Sequence, residues 1–407
     1  MRDRLDRALF AGCAVVYLAL ATRISDGFGR VQFGNTAFSN FFDHQTEALL
    51  RGDLHLADGA IGLEAFVVDG EDQMYFGLFP SLLRLPIAAV TDAGFGRFTV
   101  ASSFLAWLLF VAAAWALTDS ALQRDAAETT PWLARAWKVG LALGTPMLML
   151  AGPAWVFSEA IMWGVASCVW FQHRLVREIV DSSIRNQWWL AAALLLATLN
   201  RPTLGLGCLA VTGAVVAWRL VRRPAARTDQ LRLAGIVVGA AAVFVGPNLA
   251  RFGRLLGPPM ELQGLSMFDA HRMRMLDYSG GDFVDPRYGP TNLLAYFRPD
   301  GVSLSGRFPF IDAPTNIPTV IGGPIHDITY RTPSFAAAAP FLLIAAVAGG
   351  IVLLQRLRTR TLQPVDRALG LAAVAGAPAA AALVVWGFVA PRYLADFVPL
   401  AIPLGSV

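Results

Sequence analysis

Apolar runs of helical length recur along the chain, and many of them are interrupted by proline or glycine. A helix that crosses a bilayer needs about 20 consecutive, mainly apolar residues, and on that rule the pattern predicts about ten transmembrane helices. They lie near residues 8–23, 98–118, 138–152, 154–172, 188–201, 203–219, 233–250, 335–354, 368–390 and 393 onward. We therefore expect an all-α polytopic membrane protein in which residues 1–407 form a single transmembrane domain.

Two long polar segments interrupt the apolar runs, at residues 24–97 and 251–334. The first is rich in carboxylates, whereas the second is rich in glycine and proline and has nearly balanced charges. In the first segment, Ser39 or Asn40 can cap a short amphipathic helix that ends near Arg51. Such a helix lies along the membrane surface, and it would hold Asp43 near the lipid headgroups.

The stretch at residues 76–90, FGLFPSLLRLPIAAV, decides the topology. It is apolar, but it contains Arg84 and two prolines and has only 15 residues. Basic residues cluster at the N-terminus and at 219–232 and 356–367, and cytoplasmic loops are enriched in such residues. All three basic segments are cytoplasmic if 76–90 is an interfacial or re-entrant helix. We therefore predict a multi-pass plasma (inner) membrane protein with a cytoplasmic N-terminus and an extracytoplasmic active site.

The last apolar run, RYLADFVPLAIPLGSV, has no basic residues after it. Cytoplasmic segments next to a span are normally basic. From this pattern we expect that the natural chain continues beyond Val407 or has been shortened at its C-terminus.

Composition supports a membrane protein and excludes other classes. Hydrophobic residues make up 56% of the chain and charged residues only 15%, whereas about a quarter of a soluble domain is charged. The net charge of +4 is concentrated in the basic loops, so it indicates membrane orientation and not nucleic-acid binding. No spacing typical of a zinc site occurs and we predict no metal site, although the acidic stretch from Asp53 to Asp72 leaves a divalent cation open as a cofactor.

Polar residues within or beside the apolar runs are the candidates for chemistry. Glu159 lies early in a predicted span, so we expect it to face the bundle interior with an arginine partner such as Arg201. Arg201 and Arg392 lie at proline-containing junctions, where a guanidinium can bind a phosphate or extend to lipid phosphates. Asp396 follows Arg392 at the spacing of a helical ion pair. Further substrate-binding candidates are His44, Asp69 and Tyr75.

Five short motifs resemble the GT-C superfamily of membrane glycosyltransferases, which take sugars from polyprenyl-phosphate carriers. The motifs are FSNFFDHQTEALLRGDLHL, DGEDQMYFGLFPSLLRLP, FSEAIMW, LNRPTLG and RYLADFVP. The chain looks similar to bacterial members of the mannosyltransferase and aminoarabinose-transferase type. It departs from the best-known members at His44, where they have a second acid, and in lacking Lys-Pro-Pro before the interfacial helix. The resemblance implies a GT-C-like fold with interfacial helices in the first extracytoplasmic loop.

The resemblance also implies roles for individual residues. Asp43 matches the loop-entry acid that serves as catalytic base, and Glu64 and Glu159 are the other candidate catalytic carboxylates. Arg201, Arg392 and Tyr393 would bind the donor. These roles predict inverting transfer of a hexose or pentose from a polyprenyl-phosphate sugar to a glycan, lipid or protein acceptor of the cell envelope.

Two other functions fit a polytopic bundle with charges inside it. One is a lipid or solute transporter or flippase, although no internal repeat of the inverted-transporter kind is evident. The other is a non-catalytic scaffold for envelope polysaccharide assembly. Formation of a new glycosidic product distinguishes the enzyme from both alternatives.

Overall fold

The computed structural model describes residues 4–24, 38–122, 130–152, 155–222, 227–306, 311–313, 320–327 and 330–407. Residues 25–37 of the first predicted loop, and 307–310, 314–319 and 328–329 of the second, lie outside the described residues. Within the described part the fold is dominated by helices, and the strands form two small antiparallel pairs. The prediction of a helical membrane protein is therefore confirmed.

The elements follow one another in a simple order. The helices are α1 (Arg4–Ile24), α2 (Phe41–Leu50), α3 (Phe79–Ala88), α4 (Phe98–Leu122), α5 (Pro131–Leu143), α6 (Pro146–Met149), α7 (Val156–Val180), α8 (Ile184–Asn200), α9 (Pro202–Arg222), α10 (Arg227–Phe252), α11 (Gly264–Phe268), α12 (Ala270–Ser279), α13 (Gly289–Phe297), α14 (Phe335–Ala338), α15 (Pro340–Arg358), α16 (Pro364–Val384) and α17 (Val398–Gly405). The strands are β1 (Phe66–Val68), β2 (Glu71–Gln73), β3 (Ser303–Leu304) and β4 (Ile311–Asp312). Short 3₁₀ helices cover Gly62–Glu64, Met260–Leu262, Pro286–Tyr288 and Pro391–Phe397.

Five of the described helices are long and apolar enough to cross a membrane: α4, α9, α10, α15 and α16. Helices also occupy the other predicted spans, but they do not meet this criterion of length and hydropathy, so the predicted count of about ten is not confirmed. The span predicted at 138–152 is divided between α5 and α6, because Pro146 starts a new helix. The span predicted at 368–390 ends at Val384, because Trp386 forms a β-bridge with Val284.

Helix α3 has 10 residues, so it is about 15 Å long, half the thickness of the bilayer's hydrocarbon core. A helix of that length cannot cross the membrane alone. It packs on α2, α7 and α8. The interfacial or re-entrant position of residues 76–90 stays a prediction.

Helix α7 is the centre of the bundle, where it packs against α4, α8, α9 and α16. Close approach of helices depends on small residues, as at Gly207 of α9. A Cβ at this position would lie 2.1 Å from the carbonyl oxygen of Ala375 in α16. A larger residue at Gly207 would therefore push α9 away from α16.

Ion pairs mark one end of the bundle. There Lys138 lies 2.9 Å from Asp6 and 2.6 Å from Asp119, and Arg219 lies 2.8 Å from Glu178. The end of α9, with Arg219 and Arg222, and the arginine-rich connection α15–α16 are also at this end, which the positive-inside rule would place in the cytoplasm. The candidate site residues lie at the opposite end.

Candidate active site

Helix α2 brings the first candidate residue into the protein interior. The helix begins after Asn40, as predicted, but the Asn40 side chain does not cap it and lies 3.2 Å from Nε2 of His44. Phe41 and Phe42 are buried in the apolar core beneath the helix. Asp43 follows them directly in the first turn of α2. Because this turn is packed inward, Asp43 is only 5% exposed.

Asp43, Arg84 and Glu159 form a cluster, the buried triad, where α2, α3 and α7 meet. Arg84 donates from Nη1 to Oε1 of Glu159 at 2.8 Å and from Nη2 to Oε2 at 2.9 Å. Its Nε lies 3.4 Å from Oδ1 of Asp43. Arg84 also donates to the Pro80 carbonyl and the Thr99 hydroxyl. The planar guanidinium therefore links both carboxylates in one fixed arrangement.

Sequence reasoning noted Arg84 as a charge in a short apolar segment but did not place it in the site. A signal was present, because a cation in apolar surroundings needs an anion beside it. Glu159, a carboxylate in another apolar run, likewise needs a cation beside it. Only the fold shows that these two residues, 75 positions apart, are partners.

One oxygen of Asp43 is left without a partner. Oδ2 is buried and makes no hydrogen bond in the described structure. Burial raises the pKa of Asp43 to about 6, although the Arg84 guanidinium lowers it, and the Glu159 carboxylate raises it further. The carboxyl group lines a small recess, beside Asp92 and Phe95. Such a carboxyl has the freedom and the acidity that a general base requires.

His44 lies next to the recess without touching Asp43. Its Nδ1 is 3.4 Å from Oε2 of Glu47, and its ring meets the ring of Phe95 edge-on at 5.0 Å. Since Phe95 and Glu47 both line the recess, His44 supports the wall of the recess from outside.

A second group of candidates, the outer cluster, comprises Glu64, Tyr75, Gln263, Arg392 and Tyr393. The Tyr75 hydroxyl donates to Oε2 of Glu64 at 3.0 Å, and Nε2 of Gln263 donates to the same oxygen at 3.1 Å. Burial raises the pKa of Glu64, while the hydrogen bond from Tyr75 and the charge of Arg392 lower it. Burial also raises the pKa of the Tyr75 phenol well above its usual range. The structure therefore brings four of the predicted site residues together.

The second polar segment supports the outer cluster through Arg272. This side chain donates to Oε1 of Gln263 at 2.8 Å and to Oδ2 of Asp327 at 2.6 Å. Arg272 and Asp327 are both buried. Sequence reasoning missed this pair, because neither residue stands in an apolar run that would reveal it.

Arg392 is surrounded by aromatic rings. Its guanidinium lies 4.9 Å from the ring centre of Phe157, 5.1 Å from Tyr393, 5.3 Å from Phe388 and 5.8 Å from Tyr330. No carboxylate pairs with it among the described residues. The rings stabilise the cation and leave its donors available to a negatively charged ligand.

Arg201 is held by Asp396, a fully buried carboxylate. The expected pairs of Arg201 with Glu159 and of Asp396 with Arg392 are therefore wrong. Arg201 passes close to α7 at Gly164, where a Cβ would lie 2.7 Å from the Arg201 Cβ. Its guanidinium lies 5.8 Å from the ring of Tyr393, so it borders the outer cluster.

Phe157 connects the two groups of residues. Its ring contacts Phe41 of α2 at 6.4 Å and Phe76 at 5.5 Å, and on its other side it meets Arg392. Glu159 follows two positions later on α7. A single turn of α7 therefore places one side chain in the triad and another beside the outer cluster.

Asp69 lies apart from the other candidates. It occupies the exposed turn between β1 and β2 with a φ of 54°, followed by Gly70 at 87°. This left-handed pair closes a two-residue hairpin, a position that Asp and Gly favour. The structure therefore gives Asp69 a turn position and no contact with the outer cluster.

The acidic stretch from Asp53 to Asp72 is used for local contacts. Asp53 accepts from the backbone of Leu54 and His55, and Asp72 accepts from the N–H of Gly59 at 2.8 Å. In the part of the chain that the structure describes, no group of three or more His, Cys, Asp or Glu side chains could hold a metal ion.

Comparisons of sequence do not place the chain, since no family model and no curated protein matches it. Comparison of structure does find matches. The apo oligosaccharyltransferase of Archaeoglobus fulgidus superposes with a TM-score of 0.57 at 13% identity, over 100% of this chain and 50% of that one. The same organism's oligosaccharyltransferase AglB, in complex with an inhibitory peptide and a dolichol-phosphate, gives 0.54 at 12% identity over 99% and 50%.

These matches show what the two proteins share. The chain spans about half the length of the oligosaccharyltransferases it matches, with almost none of their sequence. At this identity the likeness concerns the fold. The described part of the chain thus shares its fold with about half of these oligosaccharyltransferases.

Proposed function

We propose that this chain is a membrane glycosyltransferase that moves a sugar from a polyprenyl-phosphate donor to a hydroxyl of a glycan, lipid or protein on the extracytoplasmic side. The observation that carries the proposal is the Asp43 carboxyl, which is buried, has one oxygen without a partner and has its pKa raised to about 6. The shared fold suggests the class of reaction. Asp43 suggests the group that performs it.

In the proposed reaction Asp43 accepts the proton of the acceptor hydroxyl as the hydroxyl oxygen bonds to the anomeric carbon. The bond from that carbon to the phosphate oxygen breaks, the configuration inverts, and polyprenyl phosphate leaves with the bonding electrons. The phosphate is already a good leaving group, so one base is sufficient, whereas two carboxylates flank the bond in glycoside hydrolysis.

Arg392 of the outer cluster and the neighbouring Arg201 would stabilise the phosphate charge as it develops. Arg392 is better suited to this role than Arg201. Aromatic rings contact Arg392 and leave its positive charge available to a ligand, whereas Arg201 already forms an ion pair with Asp396. Tyr393 lies against both guanidinium groups and would orient them.

The other two carboxylates have less freedom to act as the base. Both oxygens of Glu159 are engaged by Arg84, so Glu159 acts better as an anchor for that arginine. Glu64 accepts two hydrogen bonds at Oε2. Since both bonds end at one oxygen, Glu64 is less constrained than Glu159. It is the second candidate for the base, and it would act from the outer cluster.

The test is transfer of radiolabelled sugar from a panel of polyprenyl-phosphate sugars into membranes containing the protein. We expect labelled acceptor and free polyprenyl phosphate from the wild type. Asp43→Asn should reduce the rate by about 100-fold or more, the contribution of a general base. Asp58→Asn, a change of the same kind on the exposed part of the same loop, should leave it unaltered.

Other outcomes would overturn parts of the proposal. Equal product from Asp43→Asn and the wild type would remove Asp43 as the base, and Glu64→Gln would then be tested. Failure of every donor, combined with movement of lipid between leaflets in vesicles, would replace the enzyme by a flippase.

A further inference from the structure

A second recess, the lateral groove, lies between the segment before α3, the α8–α9 junction and α10. Its walls include Phe76, Leu78, Leu199, Phe244, Asn248 and Arg251. The groove thus combines apolar side chains with two polar groups on α10 that lie one helical turn apart.

Arg251 is the charge in this groove. It is 5% exposed and donates to the carbonyls of Met74 at 2.5 Å, Phe76 at 3.1 Å and Pro247 at 3.4 Å. No carboxylate pairs with it in the described structure. A buried cation without an anion is costly, so the groove carries a positive charge that an anionic ligand would balance.

Asn248 provides a second polar group. It is 8% exposed, and its Nδ2 is buried without a hydrogen-bond partner in the described structure. Because residues three apart on a helix share a face, Asn248 and Arg251 both line the groove. An unused amide donor beside an unpaired guanidinium suits the oxygens of a phosphate.

The surface around the groove is suited to a lipid. Only 22% of the most apolar stretch of α10 is buried in the bundle, and Val243 and Leu249 are exposed. In a bilayer this helix would face the hydrocarbon chains. Arg251 lies near the C-terminal end of α10, at the end of the bundle that carries the candidate site, where a lipid headgroup would be found.

The groove also adjoins the outer cluster. Tyr75 lines the groove, and its hydroxyl donates to Glu64 in the cluster. Pro202 lines it as well and follows Arg201 directly. A phosphate held in the groove would therefore lie next to the residues proposed to act on the donor.

We propose that the lateral groove binds the phosphate headgroup of the polyprenyl carrier, with Arg251 and Asn248 as donors and the prenyl chain along α10. The identity of the carrier rests on the proposed function. The proposal of an anion site rests only on the side chains that line the groove. Neither Arg251 nor Asn248 was a candidate from the sequence.

The test is binding to the purified full chain in detergent, with a polyprenyl monophosphate as the probe. The polyprenol of the same length controls for the prenyl chain, and phosphatidylglycerol controls for an ordinary phospholipid. Affinities are measured by native mass spectrometry, and thermal midpoints without lipid show whether each variant is folded. The matched control is Arg254→Gln, which changes an exposed arginine that is paired with Glu261.

We expect the wild type to bind the monophosphate at least about tenfold more tightly than the polyprenol, as for one charge-assisted contact. Arg251→Gln should abolish this preference, Arg251→Lys should keep part of it because the charge remains, and Arg254→Gln should resemble the wild type. Asn248→Leu should weaken binding about threefold without removing the cation, which tests the site even if Arg251→Gln does not fold.

Three results would overturn the inference. They are unchanged binding by folded Arg251→Gln and Asn248→Leu, equal binding of polyprenol, or equal binding of phosphatidylglycerol, which would make this a general phospholipid site. Because binding requires no turnover, a protein that binds the monophosphate but transfers no sugar would contradict only the proposed function. If the protein transfers sugar while its Arg251→Gln and Asn248→Leu variants bind the monophosphate as tightly as the wild type, only the proposal about the groove would be contradicted.

Discussion

Arg84 binds Glu159 through both of its Nη atoms and presents its remaining nitrogen, Nε, to Asp43. One guanidinium thereby joins the short helices α2 and α3 to the central helix α7. The two carboxylates share a single counter-charge. The ionisation of Asp43 therefore depends on the state of the other two residues.

The pH dependence of transfer should reveal this dependence. A base must be unprotonated, so the rate should fall as the pH drops through about 6, the raised pKa of Asp43. Arg84 lowers this pKa and Glu159 raises it. We therefore expect Arg84→Gln to move the acid limb of the pH–rate profile to higher pH and Glu159→Gln to move it to lower pH.

Opposite shifts are the decisive feature of that experiment. Asp58→Asn, on the exposed part of the loop, should leave the limb where it is. Shifts of the same sign in both variants, or an acid limb close to the ordinary Asp value of 3.8 in the wild type, would disprove the assignment of Asp43 as the titrating group.

The link between Arg84 and Glu159 should also stabilise the fold. Removal of one member of a buried ion pair leaves the other charge uncompensated and costs about 3–5 kcal/mol. We expect Arg84→Met to lower the free energy of unfolding by about that amount, because it leaves Glu159 and Asp43 without their shared counter-charge. Arg84→Met combined with Glu159→Leu should recover much of the loss, because only Asp43 is then left without a partner. Thermal unfolding in detergent measures both.

An exposed pair gives the control for this comparison. Arg177, in the last turn of α7, pairs with Asp181 just after the helix, with the carboxylate 72% exposed, and Arg177→Gln should cost no more than about 1 kcal/mol. A loss in Arg84→Met as small as the loss in Arg177→Gln would show that the buried link contributes nothing to stability.

Arg392 should matter for donor binding more than for stability. Aromatic rings surround it and no carboxylate forms an ion pair with it in the described structure, so Arg392→Met should leave the thermal midpoint nearly unchanged. Loss of a charge-assisted contact with phosphate should raise the KM for the donor about tenfold. Steady-state kinetics with varied donor measures this.

Arg287 offers a matched control for Arg392, since it lies 3.8 Å from the ring of Tyr278 but is half exposed. Arg287→Met should not alter the KM. An Arg392→Met variant with normal KM and a lowered midpoint would assign Arg392 to the fold alone.

Gly164 should be required for the position of Arg201. A Cβ there would lie 2.7 Å from the Arg201 Cβ, so Gly164→Ala should displace that side chain and lower both stability and transfer. Gly213→Ala places its methyl in open space, with nothing within 4 Å. It should stabilise α9 by about 0.5–1 kcal/mol, the ordinary gain in a helix. Equal gains from both changes would contradict the close approach.

Local pattern was sufficient to predict some of these features. The span of α2 and the short length of α3 follow from amphipathic spacing and from the prolines around Arg84, both of which are properties of adjacent residues. The gathering of polar helix ends at one end of the bundle also follows from the order of apolar runs and basic loops.

Partnerships between distant residues could not be predicted in this way. Glu159 and Asp396 each needed a cation, and the sequence offered several arginines at comparable helix ends. The bonds of Glu159 to Arg84 and of Asp396 to Arg201 depend on how α3, α7 and α9 pack together. Arg251 was overlooked for the same reason, because its setting is formed by carbonyls of residues 74 and 76.

Lys138 has a consequence for chemical labelling. It is the only lysine in the chain, and its ammonium group is buried between Asp6 and Asp119. A reagent that acylates amines can reach this nitrogen only when the ends of α1, α4 and α5 separate. The rate at which Lys138 is acylated is therefore a site-specific measure of how often that end of the bundle opens, with no mutation needed to introduce the probe.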